Sequence, residues 1–311
     1  MDEKNSGLPA TIYTFTVKNK STQPVTVTIL GWLENKVCPR TAKEDDNRVN
    51  KAFLRDNLIA VEASLNNTTD AERTKAADYG TMSIAVLDAK GKAQTDFLGS
   101  NTEGVFFQSN NAETSKSTKE KLLASVSTTL EIKPKTTAKA DFIIAWHFPN
   151  LSFKQIKDKG RFYNTLFKSA FEVAVYISQN FRTLSADSRL WRDTWYDSTL
   201  PCWFLERTFL NISCLSTTTA HRMENGRFYA WEGVGCCAGT CTHVWQYAQA
   251  MGRIFPALEK DTRQKIDLGL AYQPDGSMWY RAEADKRPAV DGQAGTILRF
   301  YREHQMSADA K

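Results

Sequence analysis

The hydrophobic residues of this chain change their spacing near Pro149. Up to Trp146, apolar and β-branched residues recur at every second position; beyond Pro149 they recur at steps of three and four. A period of two puts alternate side chains on opposite faces of a strand. A period of 3.6 gathers them on one face of a helix. A chain patterned this way divides into an all-β part and an all-α part, and 311 residues are enough for two or three domains.

In the first part, residues 11–17 (TIYTFTV), 25–33 (VTVTILGWL), 57–64, 80–87, 122–132 and 140–146 read as strands. Polar links at 18–24, 41–50, 66–78 and 110–121 separate them. Many strands with turn punctuation predict a β-sandwich over residues 1–150. In the second part, residues 151–311, the residues Phe162, Leu166, Phe167, Ala170, Val173, Ala174, Ile177 and Phe181 fall on one face of a long helix. Pro201 can open a second, with Trp203, Phe204, Leu205, Phe209, Ile212 and Leu215 on its buried side. Residues 240–254, 256–270 and 290–304 predict three more. The first strand pattern starts close to Met1 and the last helix pattern runs close to Lys311, so both ends are expected to be cut rather than finished.

A net charge of +5 is small for this length, and no run of five Lys or Arg occurs, so no nucleic-acid footprint is present. No window of about 18 apolar residues predicts a transmembrane helix. Of the six cysteines, Cys202, Cys214, Cys236, Cys237 and Cys241 cluster together and Cys38 stands apart. They read mostly as buried thiols, with a local disulfide as the alternative. The run CCAGTCTH, ending at His243, has the wrong spacing for a structural zinc site, so no metal is expected there.

Three segments carry candidate chemistry. In RFYAWEG, Glu232 follows Phe228, Tyr229 and Trp231 and precedes Gly233. Rings bind a sugar face and shift a neighbouring carboxyl, and glycine permits close approach. The same Glu can also cap a helix or pair with Arg227. In WRDTWYD, Trp195 belongs to a polar, aromatic group that stacks a sugar or seals a helix-joining loop. Around YRAE and AVDGQAG, Arg281, Glu283 and Asp291 are polar groups at the ends of apolar segments, either site residues, surface ion pairs or, for Asp291, a helix N-cap.

With these segments in view, the chain resembles glycoside hydrolase family 116, which includes the non-lysosomal glucosylceramidases and many bacterial relatives. Residues 8–38 look like its N-terminal sandwich and AWHFP, 145–149, like its closing strand. Residues 191–200, 228–256 and 291–307 look like its helical catalytic domain. The resemblance implies an N-terminal β-sandwich followed by an (α/α)6 toroid, here incomplete, and a β-glycosidase that retains anomeric configuration. It implies Glu232 as nucleophile and places the acid/base Asp further along than Lys311, so that this chain alone is expected to be inactive. Trp231, His243, Arg281, Glu283, Trp195 and Asp291 are then expected substrate contacts. Where ceramide-type members have a glucose-binding Asp, this chain has His243, and near the family's His-Asp sugar contact it has Arg281-Ala282. The expected partner is a β-glycoside or glycolipid, with room for peripheral membrane contact. No cofactor is required. The rival reading is a non-catalytic carbohydrate-binding or interaction module.

Overall fold

In the computed structural model of the chain, which describes residues 2–66, 70–97, 112–230, 238–242 and 251–308, the described strands of the first part pair antiparallel throughout. They are β1 (Ala10–Lys18), β2 (Val25–Glu34), β3 (Asn47–Arg55), β4 (Leu58–Leu65), β5 (Thr81–Leu87), β6 (Lys92–Gln94), β7 (Glu113–Ser117), β8 (Leu123–Ile132) and β9 (Thr137–His147). One sheet runs β1-β9-β5-β4-β3-β7 and the other β2-β8-β6. Short helices α1 (Glu3–Ser6) and α2 (Ala71–Thr74) precede the long helix α3 (Ala170–Tyr196). By internal contacts, Leu8–Asn150 and Tyr163–Ala186 form one unit, and Met1–Gly7, Leu151–Phe162 and Asp187–Lys311 form the other.

The central strands of the larger sheet are apolar on both faces, because both faces are covered. Ile59, Val61, Ile84, Val86 and Phe142 meet Ala93, Ala124 and Val126 of the smaller sheet. The alternate residues Leu58, Ala60, Ala85, Ile143 and Ala145 meet Val173, Ala174, Ile177 and Leu184 of α3. This unit is thus a sandwich with a helix on its outer face. Gly80 enters β5 against the end of β9, where a Cβ would lie 2.1 Å from the His147 carbonyl oxygen. Glycine alone fits that approach.

Helix α3 begins at Ala170, eight residues later than the apolar spacing predicts, and Phe162–Thr165 forms a separate 3-10 turn. The reason is a set of side-chain caps that the spacing does not register. Ser169 Oγ accepts from the Glu172 N–H at 3.3 Å, and the Glu172 carboxylate accepts from the Lys168 N–H at 2.8 Å. A third group comes from the sheet: Glu62, on the helix-facing row of β4, accepts from the Phe171 N–H at 2.7 Å. Trp191 to Tyr196, expected in a helix-joining loop, form the end of α3 instead.

Two other links also hold structure. Residues 41–50 overlap β3, and residues 110–121 contain β7. Strand β3 reads as polar because two of its three buried residues are polar: Arg48 donates to the carbonyls of Val37 and Thr118, and Asn50 to that of Thr95.

The second unit holds α4 (Cys202–Phe209), a 3-10 segment Leu210–Ser216, a hairpin of β10 (Ala220–Arg222) and β11 (Phe228–Ala230), α5 (Pro256–Thr262) continuing into wide π-type turns over Arg263–Ala271, and α6 (Val290–Met306). One helix reverses part of the expected burial, and another turns polar residues inward. α4 exposes Trp203 and Phe204. α6 buries Thr296 and Arg299 while exposing Val290, Ile297, Leu298 and Tyr301. Arg299 ion-pairs with Asp267 at 3.7 Å and Arg302 with Glu259 at 2.6 Å, so the polar side of α6 is turned inward by a charge network. Cys202 is exposed, against the expectation of buried thiols, while Cys38 and Cys241 are buried. Among the described residues, no helix is long and apolar enough to cross a membrane.

Burial pushes the Glu62 carboxyl above its ordinary value of 4.5, against the opposing hydrogen bonds from Phe171 and Ser169 and with help from Glu172. A carboxyl raised on folding contributes stability that is complete below the unfolded pKa and is lost as pH rises through the folded one. Glu62→Gln keeps an acceptor and removes this loss. The melting temperature of the variant is expected to gain on the parent between pH 4 and pH 7, the ordinary pKa of 4.5 lying in that window. A gap that stays constant with pH contradicts the assignment.

Candidate active site

The hairpin is specified by its turn. Asn225-Gly226 is a strong hairpin signal, and Gly226 takes φ +89. The Gly226 N–H donates to the Met223 carbonyl at 2.8 Å, and the Asn225 side chain accepts from the Arg227 N–H at 3.0 Å. β10 and β11 pair in the register Ala220↔Ala230, His221↔Tyr229 and Arg222↔Phe228. All three residues of β11 are buried. Phe228 and Ala230 pack with Cys241, Met251 and Leu258, and Tyr229 with Ile156 and Met223.

Arg227 opens this strand with its side chain only 5% exposed. One guanidinium nitrogen donates to Asp158 at 2.7 Å and to Glu283 at 2.6 Å, and the other to Glu283 at 3.1 Å and to Thr240 Oγ1 at 3.3 Å. Asn225 also donates to Asp158. Burial alone would lower the Arg227 pKa, but Glu283 and Asp158 outweigh it and hold it above the ordinary arginine value, so the cation is permanent. Three stretches far apart in sequence meet on one side chain.

The segment 238–242 is held in the same way. The Thr240 N–H donates to the Ala230 carbonyl at 2.7 Å, and the Thr242 N–H to that of Tyr280 at 2.9 Å. The Gly239 N–H donates to the Tyr229 hydroxyl at 2.8 Å. Arg281 donates to the Ala238 carbonyl, and Arg299 to that of Thr242 at 2.9 Å. Thr240 and Ala282 take φ values of +59 and +47. Positive φ is uncommon for any residue but glycine and costs most for a β-branched one, so surrounding bonds must hold these conformations.

Of the sequence-predicted residues, Glu232, Trp231 and His243, with Cys236 and Cys237, lie outside the described residues. Arg281 and Glu283 are brought together around the 238–242 segment through Ala238 and Arg227. Trp195 packs in α3 against Trp191 and toward Phe209 of α4. Asp291 is not an N-cap: α6 starts one residue earlier with Ala289 in that position, and the Asp291 carboxylate accepts from the adjacent Gly292 N–H at 2.9 Å. Arg227 pairs with Asp158 and Glu283. Asp158, 69 positions before Arg227, had no signal in the sequence. Among the described residues, no group of three His, Cys, Asp or Glu is placed to hold a metal. A cavity of about 20 Å³ behind β11, lined by Thr240, Thr242, Asp267 and Arg299 among others, suits a water molecule and not a sugar ring.

Residues 1–184 match the family described as beta-glucosidase 2, glycosyl-hydrolase family 116 N-term. That is more than half of the 311 residues, and the chain belongs to glycoside hydrolase family 116. At the level of the family it is therefore a glycoside hydrolase of β-glucosidase type. The match ends at Leu184, which is also the last α3 residue buried against the sheet. No curated protein matches the chain.

A Cβ at Gly239 would lie 2.6 Å from the Tyr229 ring and 2.9 Å from the Ala230 carbonyl oxygen. Gly239→Ala is expected to destabilise the protein by about 1–3 kcal/mol, the usual cost of forcing atoms into a packed site. Denaturant melts check this. An unchanged midpoint contradicts the close packing of this segment on β11.

Proposed function

We propose that the chain carries the nucleophile of a retaining β-glycosidase, and that this nucleophile is Glu232. Family membership supports the reaction class. The observation that carries the residue is the junction of strand and sequence motif: buried β11 ends at Ala230, two positions before the only Glu of RFYAWEG. A buried strand immediately before a reacting residue fixes where the chain enters the site.

The substrate is a β-glucoside or glycolipid with a terminal β-linked sugar. In this reading the ionised Glu232 attacks the anomeric carbon and the glycosidic oxygen leaves with a proton from a second carboxyl group. Water, deprotonated by that same group, then releases the sugar with its configuration retained. Two such carboxyls lie about 5–5.5 Å apart in retaining enzymes. Asp158 and Glu283 are committed to Arg227, so neither is assigned the acid's role. Trp231 and His243 are proposed to bind the sugar, with Trp195 and Asp291 as further contacts. The helices after the sandwich are proposed to belong to an (α/α)6 toroid, with the domain boundary near residue 150. The exposed apolar stripe of α6, Val290, Ile297, Leu298 and Tyr301, supports this, being the kind of surface a neighbouring helix in a ring covers.

Treating the full-length protein with an activated 2-deoxy-2-fluoro-β-glucoside is expected to add one sugar to the peptide containing Glu232, read by mass spectrometry. Glu232→Gln should lower turnover by roughly 10⁴-fold or more, as loss of a nucleophile does elsewhere. A label on another carboxylate removes Glu232 from the role. Sugar binding without any label or turnover would favour a non-catalytic module.

A further inference from the structure

We propose that the sandwich carries a docking site for an extended polypeptide segment of a partner protein, one with an acidic C-terminal end. The segment adds a strand to the sheet β2-β8-β6 along the free edge of β2, lies over Tyr13 and Phe15 of β1, and ends against a rim of lysines. The inference does not depend on which residue is the nucleophile.

Strand β2 is an edge: β8 pairs with one side of it, and no described strand pairs with the other. Native edges are blunted by charge, proline or a bulge. Residues 25–33 hold neither a charge nor a proline, and the register with β8 runs unbroken from Val25↔Ile132 to Glu34↔Leu123. The edge also has a floor. A Cβ on Gly31 of β2 would lie 3.1 Å from the Ile84 side chain and 3.3 Å from that of Phe142, so β2 stands over β5 and β9. The larger sheet continues one strand further, to β1. On the same face as Phe142, β1 presents Tyr13 and Phe15, 45% and 47% exposed, and Phe15 meets Phe142 edge-on at 5.7 Å. Strands of a sheet lie about 4.8 Å apart, so a strand hydrogen-bonded to β2 comes to rest over these rings. β1 is an edge as well, but a strand added there would have no sheet opposite it. A second copy joined through β2 would drive its own β1 into this one, so a single strand is what the ledge admits.

Charge decides which end of the added strand goes where. The turns 19–24 and 133–136 meet at the Val25 end of β2, tied together by buried Asn19. Its side chain donates to the carbonyls of Gln23 at 2.8 Å and Ile132 at 3.0 Å, and its N–H to that of Thr136 at 2.9 Å. Lys20, Lys133 and Lys135 are exposed in these turns, and Lys18 and Lys139 in the strands beside them. Among the described residues none of the five forms an ion pair, and Glu131 is the one acid in residues 16–26 and 131–140. The opposite end of β2 carries Glu34. An antiparallel segment, paired as every strand of this sandwich is, has its C-terminus at the Val25 end, so its acids belong there. Complementary charge of this kind steers a partner and fixes its register. A bilayer would meet the lysines and the rings but not the row of free backbone groups on β2, which strand addition satisfies.

The probe is a fluorescein-labelled synthetic peptide of Thr-Val repeats ending in Asp-Glu-Asp-Glu, titrated with the full-length protein by fluorescence anisotropy. It is expected to bind, and hydrogen–deuterium exchange over residues 25–34 is expected to slow on binding. Lys20→Glu combined with Lys133→Glu should weaken binding by about tenfold, the difference shrinking as salt is raised. Tyr13→Thr, which removes a ring from the floor, should weaken it by about fivefold. These side chains are exposed, so the melting temperature of the variants should hold. No binding, or equal binding of a peptide ending in lysines instead, overturns the proposal. Binding without slowed exchange over residues 25–34 would make the contact one of charge alone and overturn it too. Recruitment of the protein to phosphatidylserine vesicles through the same lysines, with no binding of the peptide, would make this surface a membrane face and contradict the docking site.

Discussion

One buried guanidinium organises the second unit around the candidate site. Arg227 has two carboxylates and a hydroxyl within hydrogen-bonding distance, and each arrives from a different part of the chain. Removing one partner of a buried ion pair costs about 3–5 kcal/mol, because the other charge is left without compensation. Asp158 and Glu283 keep some exposure, 22% and 32%, so water would relieve part of that cost. Arg227 itself has almost none. Arg227 thus ties the hairpin to Thr240 and to Glu283 of the 3-10 turn at Ala282–Ala284.

The same device recurs where α5 and its π-type continuation meet α6. Glu259, Arg263, Asp267, Arg299 and Arg302 form a chain of charges, and Glu259, Asp267 and Arg299 are almost fully buried. Such networks add little net stability over well-packed apolar residues. Their geometry is exacting, however, and here one end of the network holds the Thr242 carbonyl through Arg299. Both charge clusters thus end on backbone or hydroxyl groups of one short stretch, Thr240 and Thr242. The apolar side of α6 faces outward as a direct consequence.

The sandwich was legible in the sequence because its strands are paired by apolar pattern and punctuated by polar turns. Strand β3 escaped because Arg48 and Asn50 are buried there against carbonyl groups, so burial does not follow hydrophobicity. The start of α3 was misplaced because apolar spacing continues through Phe162 and Phe167, whereas Ser169 and Glu172 decide where the helix begins. That signal was in the sequence and so was the Asn225-Gly226 turn. The ionic groups were a different matter. Nothing local marks the buried acidic partners of Arg299 and Arg302, or Asp158 as the partner of a residue 69 positions away. Glu283 and Arg281 stand out in the sequence as polar residues between apolar segments, and the structure pairs them with Arg227 and with the Ala238 carbonyl.

The central claim is that Glu232 attacks the β face's opposite side of the anomeric carbon and forms a covalent glycosyl-enzyme. Glu232→Ala leaves a space where a small anion can do the attacking instead. With an activated aryl β-glucoside and azide, the full-length variant is predicted to yield the α-glucosyl azide, identified by the anomeric coupling in proton NMR, because a single displacement inverts configuration. A β-glucosyl azide, or no azide product from a folded variant, would contradict the account.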